Sequence, residues 1–228
     1  MATRLEPYRD YSEHDVINLF SLEVASNATL SGWKPGAGGD FDAGVIVAVS
    51  NGELPGDLPG FAPSATGTGN AALRNYLGAS NQPHVGFNSY PVVETTVEVA
   101  DSDSTSGSEI KTNNAIGITL RQTLAYDEND ENLLRYPLKK DELQAVLPGQ
   151  AVPILTRGLV LLNSKAIVGS VTVGTSLAVG TDAGSVKSAG KFIPASGTAK
   201  VVGEVIAVGP TVDSSANDRG VYLCRISF

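Results

Sequence analysis

Cysteine, histidine and tryptophan are scarce in this chain of 228 residues, and their scarcity excludes several kinds of site. Cys224 is the single cysteine, so no disulfide can form within the chain. The apolar neighbours of Cys224 predict a buried thiol rather than a nucleophile. His14 and His84 lie far apart and outside any HExxH pattern, so a zinc site is not expected. We therefore predict no metal site and no cofactor.

Basic residues are also few and scattered. The chain has 16 Lys and Arg against 24 Asp and Glu, a net charge of −8. Without a basic run to neutralise phosphates, direct nucleic-acid binding is not expected. Residues 1–149 hold 9 basic and 20 acidic side chains (net −11), whereas residues 150–228 hold 7 and 4 (net +3). This asymmetry favours either head-to-tail contacts between copies or a solvated acidic face.

Long apolar runs are absent as well. No stretch reaches 18 continuous apolar residues, so no membrane span is predicted. The first residues, MATRLEPYRDY, contain no apolar core of a signal peptide, so secretion is not expected. We expect synthesis in the cytoplasm, in a reducing environment.

Catalytic motifs are missing too. The chain has no G-x-S-x-G elbow, no G-x-x-x-x-G-K-[ST] loop and no G-x-G-x-x-G loop. Asp127, Asn129 and Glu131 alternate as in a calcium loop, but the glycine and the distal glutamate of an EF-hand are lacking. A solvated acidic loop is the preferred interpretation there. We predict no catalytic residues and a protein that is not an enzyme.

Short strands and glycine turns, by contrast, are abundant. The 25 glycines and the alternating apolar residues predict a mainly β protein. Residues 149–228 are predicted to form a small β-barrel or sandwich, and residues 31–148 a loop-rich β region with an acidic connecting segment. A short helix is considered at Ala71–Leu77, and a short helix or turn at Lys139–Val146. The main predicted strands are residues 44–50, 91–100, 115–124, 151–162, 200–208 and 220–228.

Residues 1–30 are predicted to form an extended N-terminal arm. A polar leader precedes the apolar run that begins at Val16, and enrichment in β-branched residues favours a strand. Two interpretations stay open: the arm adds a strand to a neighbouring subunit, or it is the first strand of the chain's own sheet. The candidate contact residues of the arm are Tyr8, Tyr11, Val16, Ile17, Leu19, Phe20 and Leu22.

Three consecutive segments resemble the head decoration, or cement, proteins of tailed bacteriophages. They are residues 115–124 (AIGITLRQTL), 127–141 (DENDENLLRYPLKKD) and 146–162 (VLPGQAVPILTRGLVLL). The similarity is in a G-I-T-L strand, a polar loop, and a G-Q-A-V-P-I-x-T-x-G strand that enters a terminal barrel. It covers about residues 110–228 and includes the later strands up to Phe228, but not the arm.

The resemblance implies a viral structural protein on the exterior of the capsid. It implies that the chain binds the major capsid protein, cements neighbouring copies, and forms a homotrimer at local three-fold positions. Two alternatives remain from the sequence. One is a tail or fibre component, for which repeats or a heptad stalk are expected and not found. The other is a carbohydrate-binding module that uses Trp33 and exposed tyrosines.

Overall fold

The protein is mainly β, as the sequence predicts. The computed structural model describes residues 4–22, 42–49, 95–99, 115–124, 126–129, 131–133, 135–147, 150–180, 190–197, 199–209 and 220–228. The predicted helix at Ala71–Leu77 lies outside these residues. The described residues hold two six-stranded sheets, a two-stranded sheet, a short 3-10 helix (Glu13–Asp15) and one α-helix, α1 (Pro137–Glu142).

The first six-stranded sheet, sheet A, joins the beginning and the end of the chain. Its order is β1-β10-β14-β13-β11-β12, and every pair of neighbours is antiparallel. Successive side chains of a strand point to opposite faces of the sheet, and this determines which residues form the inner face of sheet A. In β14, Cys224 and Ile226 are buried, while Arg225 between them is exposed. The strands are β1 (Leu5–Asp10), β10 (Arg157–Asn163), β11 (Ser176–Val179), β12 (Phe192–Pro194), β13 (Val201–Val208) and β14 (Val221–Ser227).

The second six-stranded sheet, sheet B, has the order β2-β9-β6-β4-β5-β3. Its pairs are antiparallel except β3 with β5, which run parallel. The apolar run from Val45 to Ala48 is fully buried, which confirms the buried strand expected at residues 44–50. The strands are β2 (Val16–Ile17), β3 (Phe20–Leu22), β4 (Ile46–Val49), β5 (Thr95–Val99), β6 (Ala115–Thr119) and β9 (Ile154–Leu155).

The segment expected as one long or bulged strand, residues 151–162, passes from one sheet to the other. β9 pairs with β6 in sheet B, and two residues later β10 pairs with β14 in sheet A. Thr156 marks the crossing, where its N–H and hydroxyl both donate to the carbonyl of Asp15, each at 2.9 Å. Pro153 directly precedes β9, which suits a residue that has no N–H to donate to a sheet.

The two large sheets pack face to face over one core. Sheet A points Val160, Leu162, Leu177, Phe192 and Ile226 inward, and sheet B points Ile46, Ala48, Ile118 and Leu155 toward them. The architecture is thus a sandwich of the kind in which two sheets bury their inner faces. Among the described residues the sheets are open, so the barrel alternative expected for residues 149–228 is corrected to an open sheet that also includes β1.

A small lobe at residues 121–147 has a core of its own. It contains β7 (Gln122–Thr123), β8 (Ala145–Val146) and α1. Where the sequence indicated a short helix or turn at Lys139–Val146, the helix runs from Pro137 to Glu142, and Ala145–Val146 form β8 instead. Proline is well suited to the first turn of a helix. The buried residues of the lobe are Leu124, Leu133, Leu143, Ala145 and Leu147. A further cluster on the other face of sheet B includes Leu22, Val45, Val47, Val152 and Ile154.

Candidate interaction site

The N-terminal segment, residues 4–22, lies along both sheets of its own chain. β1 forms an edge of sheet A beside β10, with Leu5 opposite Leu162 and Asp10 opposite Leu159. β2 pairs with β9, and β3 pairs with β5. Of the two interpretations of this segment, the structure therefore shows the strand of the chain's own sheet. Any contact with a neighbour has to use side chains that this arrangement leaves exposed.

Those exposed side chains are three of the seven candidate contact residues. Tyr8, Tyr11 and Leu19 point into solvent, with Leu19 54% exposed. Val16 packs against the core between the sheets, and Ile17 and Phe20 pack against the second cluster of sheet B. Leu22 is buried in that second cluster. The alternation in the sequence could not separate these roles, because the segment crosses from one sheet to the other.

A buried arginine fixes the start of this segment. Arg4 is only 4% exposed, and its Nη1 donates to the carbonyl of Gly190 at 3.1 Å. The same carbonyl accepts the N–H of Ile46 at 3.0 Å, and the carbonyl of Arg4 accepts the N–H of Asn163 at 3.0 Å. The N-terminal segment, β4, β10 and the start of β12 therefore meet at one point. Sequence analysis did not single out Arg4, because nothing local distinguishes it from a surface arginine.

Asp42 lies beside this point and has a perturbed carboxyl group. Burial raises the pKa of Asp42 from 3.8 to about 6, although the charge of Arg4 and hydrogen bonds from the N–H groups of Ala43 and Arg4 oppose that rise. Its carbonyl accepts the hydroxyl of Thr119 at 2.9 Å, and Thr119 Oγ1 in turn accepts the N–H of Val45 at 3.1 Å. Asp42 thus ties the N-terminal segment to β4 and β6, and its surroundings indicate a structural role.

An apolar surface lies at one end of sheet A. We call Val173, Ile206, Ala207, Val208 and Leu223 the β13 patch. Ala207 is paired with Leu223 across β13 and β14, and Ile206 occupies a β-bulge between this pair and the buried pair of Val205 with Cys224. Ile206, Ala207 and Val208 are exposed, Val173 is 64% exposed, and Leu223 is half-buried. Ala207 is opposite Leu223, whereas Val208 is opposite Tyr222, which packs against the core, so these residues lie near one end of the sheet but not all on one face.

The lobe also exposes large apolar side chains. Leu138 on α1 is 81% exposed, and the preceding Tyr136 is exposed as well. No residue of α1 is buried, and Nζ of Lys139 lies 2.8 Å from Oε1 of Glu128 in the preceding loop. Among the described residues, exposed apolar side chains thus occur on the N-terminal segment, in the β13 patch and on α1, and also at Val201 at the start of β13.

The structure of the acidic loop at residues 126–132 differs from the solvated loop that the sequence indicated. Asp127, expected in a solvated loop, is fully buried. Its Oδ1 accepts the N–H groups of Asn129 and Glu131, both at 2.8 Å, while Oδ2 is buried without a hydrogen-bond partner. The loop thus folds around its own carboxylate, with the side chains of Asn129 and Glu131 exposed.

Cys224 is buried in the core between the sheets, as the sequence predicts. Burial raises the pKa of its thiol to about 12, which leaves it almost entirely uncharged at neutral pH. Its Sγ lies 3.8 Å from the carbonyl oxygen of Tyr222, a weak contact at most. The residue therefore acts as a small apolar side chain.

Within the described ranges, no group of three or more His, Cys, Asp or Glu residues is placed to hold a metal ion. No helix in that part of the chain is long and apolar enough to cross a membrane. Comparisons with known protein families, with curated proteins and with solved structures each gave no significant match.

Proposed function

We propose that this chain is a viral structural protein that binds the outer surface of a bacteriophage capsid and cements neighbouring major capsid proteins. In this proposal the chain acts by binding and has no catalytic role. It is made in the host cytoplasm and becomes part of the exterior of the virion. It works as a homotrimer at local three-fold positions of the shell.

The observation that carries the proposal is the spatial order of the three segments that resemble decoration proteins. β6, from the first segment, lies antiparallel to β9, from the third, with Ile118 opposite Leu155. The lobe, from the second, connects these two strands. β10 then continues from β9 into sheet A. The segments thus form one continuous unit, which supports a common origin for the resemblance rather than scattered coincidences.

The exposed apolar side chains of the N-terminal segment, the β13 patch and α1 support a clamp. A protein that joins neighbouring subunits has to contact more than one of them. Several weak contacts give a high overall affinity when one rigid body makes them at the same time. The N-terminal segment and the β13 patch are held by one sheet, since β1 and β13 both belong to sheet A, and α1 belongs to the adjoining lobe. Tyr8, Tyr11 and Leu19 are the arm residues that remain available for such a contact.

A co-sedimentation experiment tests the proposal. Purified full-length chain is mixed with expanded, DNA-free shells of the virus that encodes it, and the bound fraction is measured after centrifugation. We expect saturable binding, and we expect the double variant Tyr8→Ala, Leu19→Ala to bind about tenfold more weakly. Val201→Ser is the matched control, because it removes an exposed apolar side chain at the start of β13, outside the β13 patch.

Removal of residues 1–25 is a poor test of the arm, because it also deletes the buried Leu5 and Leu22. Saturable binding that the control variant preserves would support the cement role. A chain that ignores shells would contradict it, and a chain that instead binds immobilised glycans would favour the carbohydrate-binding alternative. The tryptophan on which that alternative depends, Trp33, lies outside the described residues.

A further inference from the structure

We propose that Asp42 is a protonation-controlled latch for the first part of β1, residues 4–8, and that this part separates from sheet A more readily when the carboxyl group of Asp42 is ionised. The latch goes beyond the proposed function, because it operates whatever the chain binds. The contacts of Arg4 and Leu5 with the turn at residues 42–44 support it, as does the sparse pairing of β1.

Arg4 and Leu5 cover the turn that holds Asp42. The carboxyl group of Asp42 accepts the N–H of Arg4, and the charge of the Arg4 side chain acts on it as well. Gly44 packs so tightly against these two residues that a Cβ there would lie 3.1 Å from Cβ of Leu5 and 3.2 Å from Cβ of Arg4. Both Arg4 and Leu5 are buried. When they move away, water therefore gains access to the carboxyl group of Asp42.

β1 is held mainly at its two ends. It lies opposite β10 at Leu5, Arg9 and Asp10, and the register shifts between Leu5 and Arg9. Pro7 lies in this interval and has no N–H to donate to a sheet. The far end has an anchor of its own, because Nη1 of Arg9 donates to the carbonyl of Leu120 at 3.2 Å. The first part of β1 can therefore open locally, at a lower free energy than the whole sheet.

Ionisation of Asp42 is coupled to this opening. Burial raises the pKa of its carboxyl group from 3.8 to about 6, in spite of the charges of Arg4 and Lys165. Once the first part of β1 has moved away, water reaches the carboxyl group and its pKa returns toward the ordinary value. The contribution of Asp42 to docking is therefore fully present below about pH 4, and it is lost as the pH rises through 6.

The charged groups around Asp42 come from three parts of the chain. Arg4 belongs to the N-terminal segment, Lys165 to the turn after β10, and Lys191 directly precedes β12, next to the carbonyl that binds Arg4. Thr119 of β6, which bonds to the carbonyl of Asp42, carries no charge. All of these residues are kept in the variants below. A pH effect that Asp42→Asn abolishes therefore belongs to the carboxyl group of Asp42.

Amide hydrogen exchange of the full chain tests the latch. The N–H of Asn163 donates to the carbonyl of Arg4 at 3.0 Å, so its protection factor reports the docking of the first part of β1. We expect this protection factor to fall about tenfold between about pH 4.5 and about pH 7.5. The N–H of Val205, which donates to the carbonyl of Thr175 at 2.9 Å, is the reference for the whole sheet and should exchange more slowly at every pH.

Urea distinguishes local opening from unfolding of the whole sheet. Exchange at Asn163 should not respond to urea below the unfolding transition, because release of a few residues exposes little surface, whereas exchange at Val205 should accelerate. Equal exchange rates and equal urea dependence at the two positions would show that β1 opens only with the whole sheet. That result would overturn the latch.

Two carboxyl variants assign the pH effect. Asp42→Asn cannot ionise, so its protection factor at Asn163 should stay constant with pH. Asp10→Asn is the matched control, because it removes an exposed carboxylate from the same strand, and it should keep the tenfold change. A pH effect that persists in Asp42→Asn, or none in wild type, would overturn the role of Asp42. The wild-type profile is decisive even if a variant fails to fold, and because no shells are used, the result does not depend on capsid binding.

Discussion

The guanidinium of Arg4 donates a hydrogen bond to the carbonyl of Gly190, 186 positions later in the sequence, at 3.1 Å. Arg4 also has a stronger effect on the largely buried carboxyl of Asp42 than the other positive charge that acts on it, Lys165. One side chain thus links the first strand of sheet A to the loop before β12 and to the loop before β4. Its effects on stability are therefore expected to depend on the ionisation of Asp42.

Arg4→Met should destabilise the fold by about 3 kcal/mol at pH 7, because it removes the stronger of the two positive charges, Arg4 and Lys165, that act on the ionised Asp42. The carbonyl of Gly190 keeps a partner, since the N–H of Ile46 also donates to it. Urea unfolding measures the change. Arg157→Met, which alters an exposed arginine at the start of β10, should shift the free energy of unfolding by less than about 0.5 kcal/mol. Equal effects of the two variants would contradict the role of Arg4.

Asp42 should make the fold less stable as the pH rises. Its pKa is about 6 in the folded chain, above the ordinary 3.8, so the folded state binds more protons than the unfolded state between these values. The stability that it contributes is fully present below about pH 4 and is lost as the pH passes 6, for a total of about 2 to 3 kcal/mol. Urea unfolding of wild type and Asp42→Asn from about pH 4 to pH 7 measures this.

The difference between those two chains isolates Asp42, because all other titrating groups are shared. The free energy of unfolding of wild type, relative to that of Asp42→Asn, should fall as the pH rises through about 6, because the ionised carboxyl is costly to bury. Lys165, which also acts on this carboxyl, is present in both chains. Parallel stability curves would show that the carboxyl is less buried than the structure indicates.

Gly117 should not tolerate a side chain. A Cβ at this position of β6 would overlap the backbone carbonyl of Leu155 on β9 and would lie 2.7 Å from a methyl group of Ile154. Gly117→Ala is expected to cost about 3 kcal/mol or more, because the obstacle is backbone of a paired strand. Gly174→Ala is the matched control. It meets nothing within 4 Å, so only its positive φ of 85° opposes alanine, at about 1 kcal/mol.

The thiol of Cys224 should be inert in the folded protein. It is buried in the core and its pKa is raised to about 12, so the thiolate is both rare and inaccessible. An aromatic disulfide reagent should label it only as urea unfolds the chain, with the labelled fraction following the unfolding curve. Ser227→Cys, at an exposed position of the same strand, should react at once. Immediate labelling of Cys224 would contradict the described packing of β14.

Sequence patterns predicted those strands whose burial can be read from the residues next to them in the chain. Strands were expected at residues 44–50 and 220–228, and both stretches contain one, at Ile46–Val49 and Val221–Ser227. The pattern at residues 151–162 indicated a strand with an irregularity. It did not indicate that the chain changes sheets at Thr156, because the hydrogen bonds at that point come from Asp15 and Phe228.

The parts that sequence reasoning missed depend on distant partners or on backbone geometry. Asp127 looks like one more acidic residue in a polar loop, yet two N–H groups of that loop bind its carboxylate and bury it. The fate of the N-terminal segment was open because its strand pairs with β10, far along the chain. The apolar character of Ile206 was visible in the sequence, but its position in a bulge required the register of β13 against β14.

The position of β10 between β1 and β14 has a consequence for biosynthesis. Leu162 of β10 is opposite Leu5 on one side and opposite Tyr222 on the other. While a ribosome is still adding residues 221–227, β10 has an unpaired edge on the side that β14 later occupies. Sheet A therefore has to finish folding after its last strand is released. Until then its open edge can pair with other nascent chains, so slow translation of residues 163–220 should increase aggregation.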